Sequence, residues 1–215
     1  MQSAAHMTRK PSQLPRSIVP ARNGANGHLP PVHRFTLAEY HWMGEAGILT
    51  ENDRCELIRG VIREKPVIKP PHKKAVRRLL AILARLFKDD FVVDSQGPIT
   101  LSDSEPEPDL SIAVGPEQLY DERNPGPKDL VLVIEVSDST LSYDRGEKLE
   151  LYARDRLPVY WIVNLIDHHI EVYTQPRGGK NPTYRKTTVY GPGDSIPVAV
   201  GGKKLGTISV NELLP

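Results

Sequence analysis

The sequence predicts an α/β protein with a mixed β-sheet, and three observations carry that reading. DLVLVIEVS is apolar or β-branched almost throughout, a helical apolar spacing follows Pro70-Pro71, and strands and helices interleave along the chain. A strand without polar alternation is covered on both faces, so DLVLVIEVS belongs at the centre of the sheet. The 215 residues, 39% of them hydrophobic, are enough for one core, and the length favours a single domain.

The elements follow in order. The first 33 residues are rich in Pro, Asn, Gly, Arg and Ser and lack the apolar stretch of a signal peptide, so they read as a disordered tail ahead of a domain at 34–215. Thr36 caps a helix through LAEYHWMGEAG, with Glu39 completing a capping box and Gly44 and Gly47 ending it. CELIRGVIREKPVI reads as a strand pair around an Arg59-Gly60 turn, with Glu56 at the start of its first strand. After the break at Pro70-Pro71, Val76, Leu79, Leu80, Leu83, Leu86 and Phe87 mark a helix through Asp89. FVVDSQGPITL and PDLSIAVG read as strands on either side of the acidic turn SDSEPE.

Past the central strand, Ser139 or Thr140 caps a helix through YDRGEKLELYARD, with Leu149, Tyr152 and Ala153 facing inward and Leu157-Pro158 stopping it. VYWIVNLI and HHIEVYTQ form a hairpin linked at Asp167, and a further strand follows at YRKTTVY. Short strands and a terminal helical turn complete the chain.

The 28 basic and 27 acidic residues nearly cancel, which excludes the strong positive field of a protein that coats nucleic acid; any such contact must be local. Lys73, Lys74, Arg77, Arg78, Arg85 and Lys88 line one face of the long helix, where they either touch a phosphate backbone or form an ordinary solvated face, the commoner outcome. The lone Cys55 excludes an internal disulfide, fits a reducing, cytoplasmic compartment and reads as a small core residue. LLAILARLF and VYWIVNLI fall short of the roughly 20 apolar residues that span a bilayer, so no membrane partner is expected. The sequence has no Gly-rich phosphate loop, no GxSxG and no CxxC, and no organic cofactor is expected. His168 and His169 are successive residues near a hairpin turn and would face opposite ways rather than share a metal, and Tyr160 and Trp161 read as core packing.

Two carboxylates carry the chemistry. Asp109 stands beside Pro108 at the mouth of a strand, and Glu135 ends the apolar run VLVIE. A buried ionised glutamate needs a divalent cation, a basic side chain or a proton to offset its desolvation. If the two strands are neighbours, the carboxylates converge as hard oxygen ligands suited to Mg²⁺, with Mn²⁺ as a substitute, in an arrangement able to cleave phosphodiesters. Taken singly, an Asx turn at Asp109 and a salt bridge at Glu135 remain the plainer alternatives.

PDL, then LVIEVSDSTLSYDRGEKLELYAR, then VYWIVN, resembles the Uma-two family of endonucleases in the PD-(D/E)XK superfamily, from Phe35 nearly to the C-terminus. The resemblance implies a restriction-endonuclease-like mixed β-sheet flanked by helices and a Mg²⁺-dependent DNA endonuclease. It also implies Asp109 and Glu135 as metal ligands and Glu56, from ELIRG, as a third acidic participant. The superfamily lysine would stand two residues after the glutamate, where this chain has Ser137. The resemblance offers Lys148 from the following helix instead, as an electrostatic partner of the transition state; the alternative is an exposed lysine paired with Asp144. His72 falls where the family often has a histidine and is either a general base or phosphate contact or, the favoured reading, a helix-start residue without chemistry. A homodimer is expected for cutting a two-fold symmetric duplex. The rival function is a catalytically inactive nuclease-fold binding or interaction module, which the displaced lysine and the weak net charge both allow.

Overall fold

The computed structural model describes residues 31–88 and 90–214, so the tail expected over 1–33 lies almost wholly outside the described residues. Thr36 makes the capping box: its Oγ1 accepts from the Glu39 N–H at 3.2 Å while Glu39 Oε2 accepts from the Thr36 N–H at 2.8 Å, opening helix α1 at Leu37–Glu45. Strands β1 (Cys55–Ile58) and β2 (Val61–Glu64) pair antiparallel. Their turn holds Arg59 at φ 50 and Gly60 at φ 74, the left-handed pair that matches the twist of a tight hairpin. Cys55, expected in the core, is only partly buried at the head of β1.

Helix α2 spans Pro70–Leu86. The two prolines, expected to precede it, form its first turn, where a missing N–H removes no intrahelical bond. Its buried stripe of Ala75, Val76, Leu79 and Leu83 packs on one face of the sheet.

The sheet has six strands in chain order: β3 (Phe91–Asp94), β4 (Leu110–Val114), β5 (Leu130–Ser137), β6 (Val159–Asn164), β7 (His169–Arg177) and β8 (Thr183–Tyr190). The apolar run DLVLVIEVS becomes β5, with two strands to one side and three to the other. Only β5 and β6 among these neighbours run parallel, which requires a crossover, and helix α3 over residues 141–154 supplies it. Side chains alternate along β5, so Leu132, Ile134 and Val136 meet the α2 side, while Val133 packs with Leu151, Tyr152 and Ala153 of α3. A second hairpin, β9 (Ser195–Val200) with β10 (Lys203–Ser209), and a helical turn at Val210–Leu213 extend the α2 layer.

One expected strand is shorter than its sequence suggests. Of FVVDSQGPITL only the first four residues pair, because Gln96 takes φ 59 and Pro98 cannot donate to a ladder. The segment from Ser95 to Asp109 instead loops back, buries Ile99 and Leu101, and reaches the first hairpin through a bridge between Leu57 and Glu105. Among the described residues no helix is long and apolar enough to cross a membrane.

Gly60 is closely enclosed: a Cβ there would stand 2.7 Å from Arg34 Cβ and 2.9 Å from the Phe35 carbonyl oxygen. Gly60→Ala is therefore expected to lower unfolding free energy by more than about 1 kcal/mol in urea titrations, from the positive φ and the clash together. A loss of only a few tenths would show that the turn relaxes freely.

Candidate active site

Leu110 stands opposite Ile134 in the β4–β5 register, and extending it by one pair brings Asp109 opposite Glu135. Asp109 ends the looping segment and is fixed by two donors. Its Oδ2 accepts from the Val136 N–H at 2.8 Å and from Nε2 of His72 at 3.0 Å. His72, read from the sequence as a helix-start residue without chemistry, thus has a defined partner on the cleft floor.

Glu135 points to the α3 side of β5. Its Oε1 accepts from the Tyr152 hydroxyl at 2.7 Å and lies 3.3 Å from Lys148 Nζ. Burial pushes this carboxyl up to about 8; Lys148 pulls against that, while Asp144, Asp109 and Glu56 add to it. Lys148 itself is only 3% exposed. Burial works against its charge, yet Glu135 and Glu56 outweigh it and hold the ammonium above the ordinary lysine range. Its Nζ donates to Glu56 Oε2 at 2.8 Å. The exposed lysine paired with Asp144 is therefore not the arrangement that forms.

α3 opens with one α-helical turn at Leu141–Tyr143, widens to a π-helical segment at Asp144–Lys148, and returns to α-helix at Leu149–Arg154. Asp144 and Lys148, four residues apart in this wider turn, are both buried. Asp144 Oδ2 accepts from Ser137 Oγ and from Thr140 Oγ1, each at 2.6 Å. Burial raises its carboxyl, against the two hydroxyls and Lys148 and with Asp109 adding to the rise. Ser137, standing at the motif's lysine position, has a role of its own: it orients this second carboxylate.

Glu56 completes the constellation from the first hairpin. Its Oε2 also accepts from the Glu107 N–H at 3.2 Å, and its Oε1 lies 3.4 Å from the Tyr143 hydroxyl. It enters as the counter-ion of Lys148. Arg63–Glu147 and Arg59–Glu150 pairs, both at 3.1 Å, brace the same hairpin against α3.

Asp109, Glu135, Glu56 and Lys148 all line one cleft of about 600 Å³, with His72, Tyr143 and Asp144 beside them. In Asp109 and in Glu135 one oxygen takes the contacts described, and the other receives no hydrogen bond from the described residues. No three His, Cys, Asp or Glu side chains among the described residues form a metal-holding group by themselves. Two carboxylates with one unengaged oxygen each, in a cleft with room for water, match Mg²⁺, which keeps much of its hydration and uses few protein ligands. His169 is engaged elsewhere, 3.1 Å from Glu171, and His168 sits in the β6–β7 turn at φ 54. Sequence reasoning missed the inward turn of Asp144 and the hydroxyl of Tyr152. The signal was present: Asp144, Lys148 and Tyr152 recur every fourth residue.

Residues 37–205 match the family model described as "Uma2: Putative restriction endonuclease". No curated protein matches the chain. Among solved structures it is similar to one from Anabaena variabilis ATCC 29413, described as "a putative nuclease belonging to DUF820". The TM-score is 0.60 over 83% of this chain and 97% of that one, at 17% identity, a likeness of fold.

Because the Glu135 carboxyl rises from 4.5 to about 8 on folding, the folded chain holds its proton more tightly than the unfolded chain. That stabilisation is complete below about pH 4.5 and is lost as pH rises through about 8. In EDTA, the melting temperature of Glu135→Gln relative to wild type should climb across this window and level off above it; a gap that does not vary with pH would contradict the buried-carboxyl assignment. Lys148→Met leaves Glu56 and Glu135 buried without their cation and should destabilise by about 3–5 kcal/mol. Adding Glu56→Gln and Glu135→Gln should recover most of the loss in chemical denaturation, and a triple variant no better than the single one would show that Lys148 acts through packing alone.

Proposed function

We propose, because this chain belongs to the Uma2 family of restriction endonucleases, that it is a Mg²⁺-dependent DNA endonuclease acting through Asp109, Glu135 and Lys148. The observation that carries the reading is the arrival in one cleft of two carboxylates, each with an unengaged oxygen, and a buried ammonium 3.3 Å from one of them. Asp109 and Glu135 would hold the ion. When bound, Mg²⁺ supplies a Lewis acid for a phosphoryl oxygen and makes an attacking water more acidic.

The chain's own residues prepare that chemistry. Val136 N–H and His72 hold Asp109 by one oxygen, leaving the other for the ion. Tyr152 does the same for Glu135. Lys148, kept charged by Glu56 and Glu135, presents positive charge where the phosphoryl group gains negative charge, and its low exposure strengthens that interaction. Glu56 acts through Lys148 rather than on the ion. Cutting both strands of a duplex takes two such sites, so the reading includes a homodimer.

The test is cleavage of supercoiled plasmid in Mg²⁺ or Mn²⁺ by wild type, Asp109→Ala, Glu135→Ala and Lys148→Met. Each variant should lose activity by at least about 100-fold, the scale seen when a single charge-stabilising group is removed. Calorimetric Mg²⁺ titration should lose its signal in Glu135→Gln. Equal cleavage by all four proteins would remove the site, and a wild type that neither cuts nor binds Mg²⁺ would leave a binding or interaction module on a nuclease fold.

A further inference from the structure

We infer that the outer face of α2 is the track on which the DNA phosphate backbone lies, leading into the cleft; the inference rests on the nuclease reading and extends it. α2 carries Lys73, Lys74, Arg77, Arg78 and Arg85 and not one acidic residue, and Lys88 follows just beyond its end. Arg78 is partly buried and bonds to the Leu214 carbonyl oxygen, but the other five cations are exposed.

None of those five forms an ion pair among the described residues, as is also true of Arg185 and Lys186 on β8; what sets α2 apart is that its cations share one helix face with no acid among them. The net charge of the whole chain is only +1, so these five charges are balanced by an acidic excess elsewhere. A merely solvated helix face usually relieves like charges with acids one turn away. Here Lys73 and Arg77 stand one turn apart with no acid in the helix to separate them, a repulsion that a polyanion relieves.

Placement favours DNA. His72, adjacent to Lys73 in the chain, reaches Asp109 on the cleft floor, so the cationic stripe starts at the site. From Lys73 to Arg85 it runs about 18 Å at the helical rise, and duplex DNA carries a charge about every 1.7 Å of axis, so several phosphates fall within reach. Between the two groups of cations the exposed residues include Ala81 and Ala84, whose short side chains let a backbone approach closely.

The test is fluorescence anisotropy of the full chain with a labelled DNA duplex in EDTA, over a series of salt concentrations. The variant is K73Q/K74Q/R77Q, and the control is R185Q/K186Q, which removes two exposed cations from β8. The α2 variant should bind at least about tenfold more weakly, and the slope of log K against log salt should fall by roughly three, about one for each phosphate no longer neutralised. The control should keep the wild-type slope, and matching circular dichroism would show that the variants fold. An α2 variant with unchanged affinity and slope overturns the inference, as does loss of binding to phosphatidylserine vesicles with DNA binding intact. If wild type cleaves plasmid while the α2 slope stays unchanged, only the track falls; if wild type neither binds nor cuts DNA, the nuclease reading falls with it.

Discussion

Everything near the cleft depends on one buried ammonium. Withdrawing a charge from water is expensive, and the return comes only from close, well-oriented partners. Lys148 has two, Glu56 at 2.8 Å and Glu135 at 3.3 Å, and they belong to different parts of the fold. Glu56 comes from a two-stranded hairpin outside the six-stranded sheet, Glu135 from the sheet's interior, and Lys148 from the crossover helix. One side chain thereby holds three elements in fixed relation, and the hairpin is kept against a sheet to which it adds no strand.

The π-helical segment, which ends at Lys148, is held from a second direction as well. Arg145, one residue after Asp144, places Nε and one terminal nitrogen on the Glu171 carboxylate of β7, at 3.1 and 2.6 Å. Burial alone would raise Glu171, but hydrogen bonds from Arg145, Tyr173 and His169 outweigh it and draw the carboxyl down to about 2. The segment is thus anchored to β7 through Arg145 and to the hairpin and β5 through Lys148. The π-helical winding lies between these two anchors.

The fold was largely legible because its strongest signals are local. The capping box at Thr36, the Arg59-Gly60 turn, the apolar stripe of α2 and the unbroken apolar run of β5 each follow from neighbours in the chain. The segment after Asp94 departs from its sequence pattern because β-favouring Ile99 and Leu101 are buried by a loop rather than a ladder. At the site, residue identity was readable and environment was not. Lys148 and Asp144 invite pairing at their spacing, but the lysine is instead held inward by Glu135 and by the distant Glu56. His72 gave no sign of its partner because Asp109 lies 37 residues further along the chain.

The link between Glu56 and Lys148 closes a loop of 92 residues, nearly half the protein. Chain emerging from a ribosome would expose Glu56 of the hairpin long before Lys148 is made, whereas Glu135 precedes that lysine by only 13 residues. Until α3 docks, the two acids have no ammonium between them and every reason to stay in water. The pair between Glu56 and Lys148 therefore forms only once the first hairpin and α3 have both been made, and a half-made chain lacks the lysine around which the cleft is arranged.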